Sequence, residues 1–361
     1  MTTYYVDPSA GNDGNAGTAF GTAWLTTQKA LNTAVAGDTV NLCATATESI
    51  TATMAANTNS GGIITPIKFV AANSSGTVDG TKYTIQTTSG TAAMLTFSGT
   101  VTYTAWEDVI FDGNSKAANC VLNSANDTSS LHMFTRCQMK NATSDGINVR
   151  GSIVAPYEWI FVGCEINNNG GAGINNNTGN RGGVTLHDCS VHHNTGVGCD
   201  VNCWWYIRDC LIYRNGAGGI LGESNSGRMV VLNTVFHANT TFGIQFFNGT
   251  SRNNYQIVGN VFSSNSTYGI QYQAGNGLVC TFCDYNCAYN NTSGATDLSG
   301  NLLTGSHNVT SDPSFYSTTN NSEDFRLNAG SPLIGAGANG TNIGPMPQIV
   351  SAGGNSGFII G

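Results

Sequence analysis

The sequence predicts an all-β protein, a solenoid of stacked coils that each hold three short strands. Three observations carry that expectation. Near-identical phrases recur: LHDCSVHHNTGVGCD, IRDCLIYRNGAGGIL, VLNTVFHANTTFGIQ and IVGNVFSSNSTYGIQ. Their spacing falls in the range of repeat architectures, where one coil cannot bury its apolar face without neighbours. Beyond about residue 40, apolar residues alternate in short runs bounded by Gly and Asn, with no sustained helical period.

The repeats align into columns. On the residue after Asp209, one column reads Cys137, Cys164, Cys189, Cys210, Thr234 and Asn260, at intervals of 27, 25, 21, 24 and 26. Two residues later stand Met139, Ile166, Val191, Ile212, Phe236 and Phe262, and three earlier Phe134, Phe161, Leu186, Ile207, Val231 and Ile257. These are inward ladders of a tube whose parallel coils lie ~4.8 Å apart. A further column reads Ala142, Asn169, Asn194, Asn215, Asn239 and Asn265, able to bond up and down the stack where no sheet reaches the turn amides. Gly146, Gly173, Gly198, Gly219, Gly243 and Gly269 follow, at a backbone angle or close approach that a Cβ forbids. The segment WEDVIFDGN supplies an upstream coil, with Trp106, Val109, Phe111 and Asn114 in the four columns, and CTFCDYNCAYNN a less regular one downstream.

Composition narrows the function classes. Only 9% of the 361 residues are charged and 46 are Gly, so the surface is wetted by amides and hydroxyls. A net charge of -8 argues against gripping nucleic acid, which needs clustered Lys and Arg. No stretch approaches the ~18 apolar residues that span a bilayer. The start, MTTYYVDPSAGND, lacks a basic and apolar leader, so the expected origin is a cytoplasm without secretory export. Eleven cysteines, an odd number mostly at one repeat position, read as reduced core residues.

The columns, together with both ends of the chain, carry a family resemblance. YYVDPSAGNDGNAGTAFGTAWLTTQKALNTAVAGDTVNL resembles the opening segment, and DPSFYSTTNNSEDFRLNAGSPLIGAGANGTNIG the closing coils, of right-handed parallel β-helix proteins of the pectate-lyase-like superfamily. The resemblance implies a cap at residues 1–40 with a short helix at about Ala23 to Val35, a parallel β-helix at 41–344, and a tail at 345–361 that covers the far end or contacts another subunit. It implies the fold and leaves the activity open, because the superfamily holds lyases, hydrolases, epimerases, viral spikes and scaffolds. Hydrolases of this fold that cleave polygalacturonate use Asn-Thr-Asp, Asp-Asp, Gly-His-Gly and Arg-Ile-Lys, none of which occurs in the chain.

Strand alternation then gives the candidate site. Glu165, His192, Tyr213 and His237 share an outward face, with His193 beside Arg214. Asp188 and Asp209 hold equal positions on adjacent coils, which brings their backbones within ~5 Å. That spacing suits the carboxyl pair of a retaining glycosidase, although Asp ahead of a turn more commonly accepts backbone amide bonds. Trp204 points outward, where an indole can stack on a sugar or be covered as a rim residue, whereas Trp159 and Trp205 point into the core. His192 and His237 lie two coils apart with Tyr213 between them, so neither metal nor cofactor is expected. No Thr column supports ice binding. Two functions remain. The first is a non-catalytic virion surface protein of the phage spike, fibre or capsid-decoration type, a homo-oligomer with a trimer favoured, that contacts other virion proteins and host surface polysaccharide. The second is an extracellular polysaccharide lyase or glycoside hydrolase working on the face of Glu165, Asp188, His192, Trp204, Asp209, Tyr213, Arg214 and His237.

Overall fold

A computed structural model describes residues 1–56, 61–62, 64–97, 102–123, 130–149, 158–176, 183–202, 204–222, 228–246, 255–272, 280–296 and 305–345. Three parallel sheets wind into one tube: sheet A of eleven strands and sheets B and C of ten each. Each coil runs A, B, C and returns to A. Register is residue for residue: Phe134 pairs with Phe161, Met139 with Ile166, and Ile147 with Ile174. The predicted apolar columns are therefore vertical neighbours, and their side chains fill the tube with stacked rings such as Phe134 on Phe161 at 5.3 Å and Phe236 on Phe262 at 5.0 Å.

From the coil that begins at Ser130 onward, two corners of each coil use a single residue in the left-handed region, among the described residues. Between sheets A and B these are Arg136, Asp188, Asp209 and Asn233, and between sheets B and C Asn168, His193, Arg214 and Ala238, all with φ between 49° and 55°. One such residue turns the chain sharply, at a steric cost that Asp and Asn soften and that Arg136, His193, Arg214 and Ala238 bear in full. The corner amides still bond the next coil: Asp188 N–H donates to the Arg208 carbonyl and Asp209 N–H to that of Leu232.

The asparagine column lies just inside the second corner and works as expected. Asn169, Asn194, Asn215, Asn239, Asn265 and Asn291 are joined carboxamide to carboxamide at 2.9 to 3.1 Å. The Asn215 side chain makes four bonds, accepting from the Asn194 backbone and side chain and donating to the Val191 carbonyl and Asn239. The Cys column becomes a second amide ladder lower down, where Asn260 donates to Asn286 and to the Val231 carbonyl. The glycine column serves close approach, not unusual angles: a Cβ on Gly219 would lie 2.2 Å from the Gly243 carbonyl oxygen. Nine cysteines among the described residues are free and buried, and burial pushes the thiols of Cys137, Cys164 and Cys189 far up.

The ends follow different rules. The helix spans Thr27–Thr33, shorter than expected, because Thr26 caps it and the preceding Trp24 is drawn into a bridge with Val6. Thr3–Val6 pairs with Thr39–Cys43, so sheet A begins within the expected cap. Glu48, buried beneath the helix, accepts from the Thr27 amide and the Tyr83 hydroxyl at 2.8 Å each. At the other end, Phe315–Ser317 and Asp324–Leu327 form an antiparallel hairpin that folds back onto the outward face of sheet B. There Phe325, Leu333 and Ile343 make a second core with Tyr213, Val235, Val261 and Cys287. Of the expected tail, residues 346–361 lie outside the described residues. Among the described residues no helix is long and apolar enough to cross a membrane.

Two measurements check this account. Asn215→Ala leaves several interior polar groups unpaired and is expected to cost roughly 3 kcal/mol in denaturant unfolding, against less than ~0.5 kcal/mol for exposed Thr240→Ala. His237 sits under the hairpin, its Nδ1 bonded to the Ser263 hydroxyl at 2.9 Å, and burial with the charge of Arg214 lowers it from 6.5 to about 4. A depressed folded value means the neutral ring stabilises the fold above pH 6.5, and that contribution is lost as pH falls through about 4. His237→Asn is expected to flatten the acid limb of the stability curve; an unchanged limb would count against the buried neutral ring.

Candidate active-site corner on sheet A

The outward face of sheet A carries three columns. In the first, Gly183, Trp204 and Arg228 are in register, and in the second Met133, Ile160, Thr185, Tyr206, Val230, Gln256 and Phe282. The third includes Val162, His187, Arg208 and Leu232. Trp204, Tyr206 and Arg208 are thus alternate residues of one strand, all outward, and the first two are 65% and 38% exposed. Trp159 and Trp205 are buried in the tube as expected.

That strand ends at the corner where Asp188 and Asp209 stand on neighbouring coils. The carboxylates project outward and meet His187 and Arg208 from the third column. His187 Nε2 lies 3.5 Å from an oxygen of each aspartate. Arg208 donates through Nε to Asp209 Oδ2 at 2.7 Å and bonds His187 Nε2 through Nη2 at 3.0 Å. A guanidinium only donates, so Nε2 accepts and the ring proton belongs on Nδ1. Asn233 donates to Asp209 Oδ1 at 3.2 Å. Among the described residues neither aspartate accepts a backbone amide bond, so the expected turn-capping role is replaced by the left-handed corner conformation itself. Burial, opposed by His187 and Arg208 and reinforced by the charge of Asp209, pushes the Asp188 carboxyl up.

One ligand atom each from His187, Asp188 and Asp209 lie within 4.8 Å of one another. The Arg208 guanidinium bonds two of these three groups, Asp209 and His187. The cluster brings together two carboxylates, an imidazole and a guanidinium beside exposed aromatic rings.

The other candidates occupy sheet B and its far corner. Glu165 accepts from His192 Nε2 at 3.1 Å, and that bond holds its carboxyl below the usual range. His192 Nδ1 meets His193 Nδ1 at 2.7 Å, and His193 reaches Asn320 of the hairpin loop at 2.8 Å. Tyr213 stacks on His192 at 4.6 Å and packs against Phe325, where burial pushes its hydroxyl up to about 12. Arg214 pairs with the buried Glu323 carboxylate and the Thr318 carbonyl. Tyr213, Arg214 and His237 are therefore hairpin-docking residues, while Asp188, Trp204 and Asp209 share the exposed corner. Sequence reasoning missed His187, Tyr206 and Arg208; stepping by two from Trp204 along its strand would have found the last two.

The profile of right-handed β-helix regions matches residues 120–292 and 161–326, together more than half of the chain. No curated protein sequence matches it significantly. Among solved structures, the pectate lyase Pel9A is similar at 16% identity, 96% of each chain and a TM-score of 0.64. An alginate lyase from Paenibacillus sp. str. FPU-7 is similar at 14% identity, over 79% of this chain and 96% of that one, with a TM-score of 0.52. A GH136 lacto-N-biosidase from Eubacterium ramulus is similar at 13% identity, over 86% and 68%, with a TM-score of 0.50. At such identities the likeness speaks for the fold alone, and the profile match over more than half of the chain, with the three in-register sheets, gives the conclusion: this chain belongs to the right-handed parallel β-helix family.

Proposed function

We propose that the protein binds a polysaccharide on the outward face of sheet A and hydrolyses it at the Asp188–Asp209 corner. The observation that carries this reading is the alignment of exposed Trp204 and Tyr206 on the strand that ends at the carboxylate pair. Aromatic faces stack on the apolar faces of sugar rings, and they hold a chain beside the corner. Glycoside hydrolysis needs one carboxyl that gives a proton and one that stays charged, and unequal surroundings separate such a pair. The proton of one aspartate goes to the departing glycosidic oxygen as the carbon–oxygen bond breaks. The other carboxylate attacks the sugar carbon, and water then releases it. One oxygen of each aspartate lies within 4.8 Å of the other, which supports the close carboxyl pair of a retaining enzyme over the wider gap that admits a water between the carboxyls.

A second reading has one observation in its favour. The second column, although it includes Thr185 and Gln256, exposes the large apolar side chains of Met133, Tyr206 and Phe282 on the outward face, more than one cleavage site needs. Such a face suits a non-catalytic virion surface rod, most simply a homotrimer, that holds host glycans or neighbouring subunits without turnover.

Incubation with a panel of plant, algal and bacterial surface polysaccharides, read by release of reducing ends, separates the two. Hydrolysis predicts reducing ends without unsaturated sugars, and a loss of at least ~10²-fold in Asp188→Asn and Asp209→Asn. Trp204→Ala is expected to weaken binding roughly 5- to 10-fold while leaving the fold intact. Binding that survives in every aspartate variant, with no turnover by the parent protein, favours the rod; unsaturated products would sink the hydrolytic mechanism.

A further inference from the structure

Asp188 and Asp209 are equivalent in sequence and backbone. Each precedes a buried cysteine, with φ of 54° and 55°, on neighbouring coils. Two carboxylates in matching surroundings compete for one proton, and neither keeps a fixed task. What differs is the residue ahead of each, His187 before Asp188 and Arg208 before Asp209. Arg208 bonds Asp209 Oδ2 at 2.7 Å, and Asn233 takes the other oxygen at 3.2 Å. The same guanidinium occupies His187 Nε2 at 3.0 Å, so the imidazole nitrogen nearest Asp188 presents a lone pair and not a proton. Among the described residues Asp188 accepts no hydrogen bond from a cation or an amide.

We propose that Arg208 is the positioning residue that divides the work between the two aspartates, fixing Asp209 as the charged nucleophile and leaving Asp188 to carry the proton. One guanidinium does this twice over, by neutralising Asp209 directly and by turning the donor side of His187 away from Asp188. The net upward push on Asp188, led by burial, opposed by His187 and Arg208 and reinforced by the charge of Asp209, agrees with that order. The assignment of tasks rests on the hydrolytic reading of this corner; the electrostatic asymmetry stands without any substrate.

Carbon-13 titration of protein labelled at the aspartate carboxyls tests it. The intact chain is expected to show separate titrations for the two residues, with Asp188 the later to lose its proton. In Arg208→Gln the separation is expected to shrink by about one pH unit or more, with Arg208→Lys between. On any polysaccharide the reducing-end screen identifies, the alkaline limb of the pH–rate profile is expected to follow Asp188, and the acid limb to move upward in Arg208→Gln. Unchanged order and spacing in Arg208→Gln, in protein whose unfolding midpoint matches the parent's, would overturn the proposal whatever glycans do. If the parent turns nothing over while the titrations still respond to Arg208, the hydrolytic reading alone has failed.

Discussion

The structure depends on the register of one coil over the next. Parallel hydrogen bonding fixes residue above residue along sheets A, B and C, but a sheet ladder stops at each corner. The left-handed corner residues carry one amide across, and the asparagine carboxamides complete the bonding that remains. Unmet polar groups inside the tube would each cost as much as several buried methylenes gain, so this bonding decides whether the coils can stack at all. Once they stack, residues two dozen positions apart become neighbours, and any property repeated in sequence becomes a stripe in space.

That constraint also explains where chemistry can sit. Inward positions are for the most part apolar or part of a bonded ladder. Of the outward faces, sheet B is occupied over coils 190–289 by the chain's own hairpin, through Phe325 on Tyr213 and His237. Sheet A has no such cover among the described residues. Its corner with sheet B splays side chains outward from left-handed residues, so aspartates on adjacent coils converge without any loop to position them. In a chain with 9% charged residues, four titratable groups meeting at one corner form a strong local field with little competition from the rest of the surface.

Much of the fold was legible because the solenoid writes its columns into the sequence: the Cys, Asn and Gly positions named from the repeats are vertical neighbours. The exceptions have physical causes. The hairpin at Phe315–Leu327 has no repeat to betray it, and it reaches Arg214 across 109 residues. Tyr213 and His237 point outward as alternation requires, yet outward does not mean exposed once a distant segment docks there. Asp188, Trp204 and Asp209 were legible as outward residues. Arg208 follows from Trp204 by alternation along one strand, but its meeting with His187 and the carboxylates does not, because the corner residue breaks that alternation. The asparagine ladder beginning at Asn260 looked like the end of the Cys column, since a thiol and a carboxamide fill similar volumes at that position.

The most direct measurement of the register at the site is a pair of engineered cross-links. Cysteines at 188 and 209 would stand on adjacent coils ~4.8 Å apart, within the span a disulfide bridges, whereas cysteines at 188 and 233 would be separated by two coils, ~10 Å, and outside it. Under mild oxidation, with bridges mapped by peptide mass, the account predicts that the 188–209 pair closes and the 188–233 pair stays open. Closure of the second pair, or failure of the first in folded protein, would contradict the stacking from which the active-site corner is built.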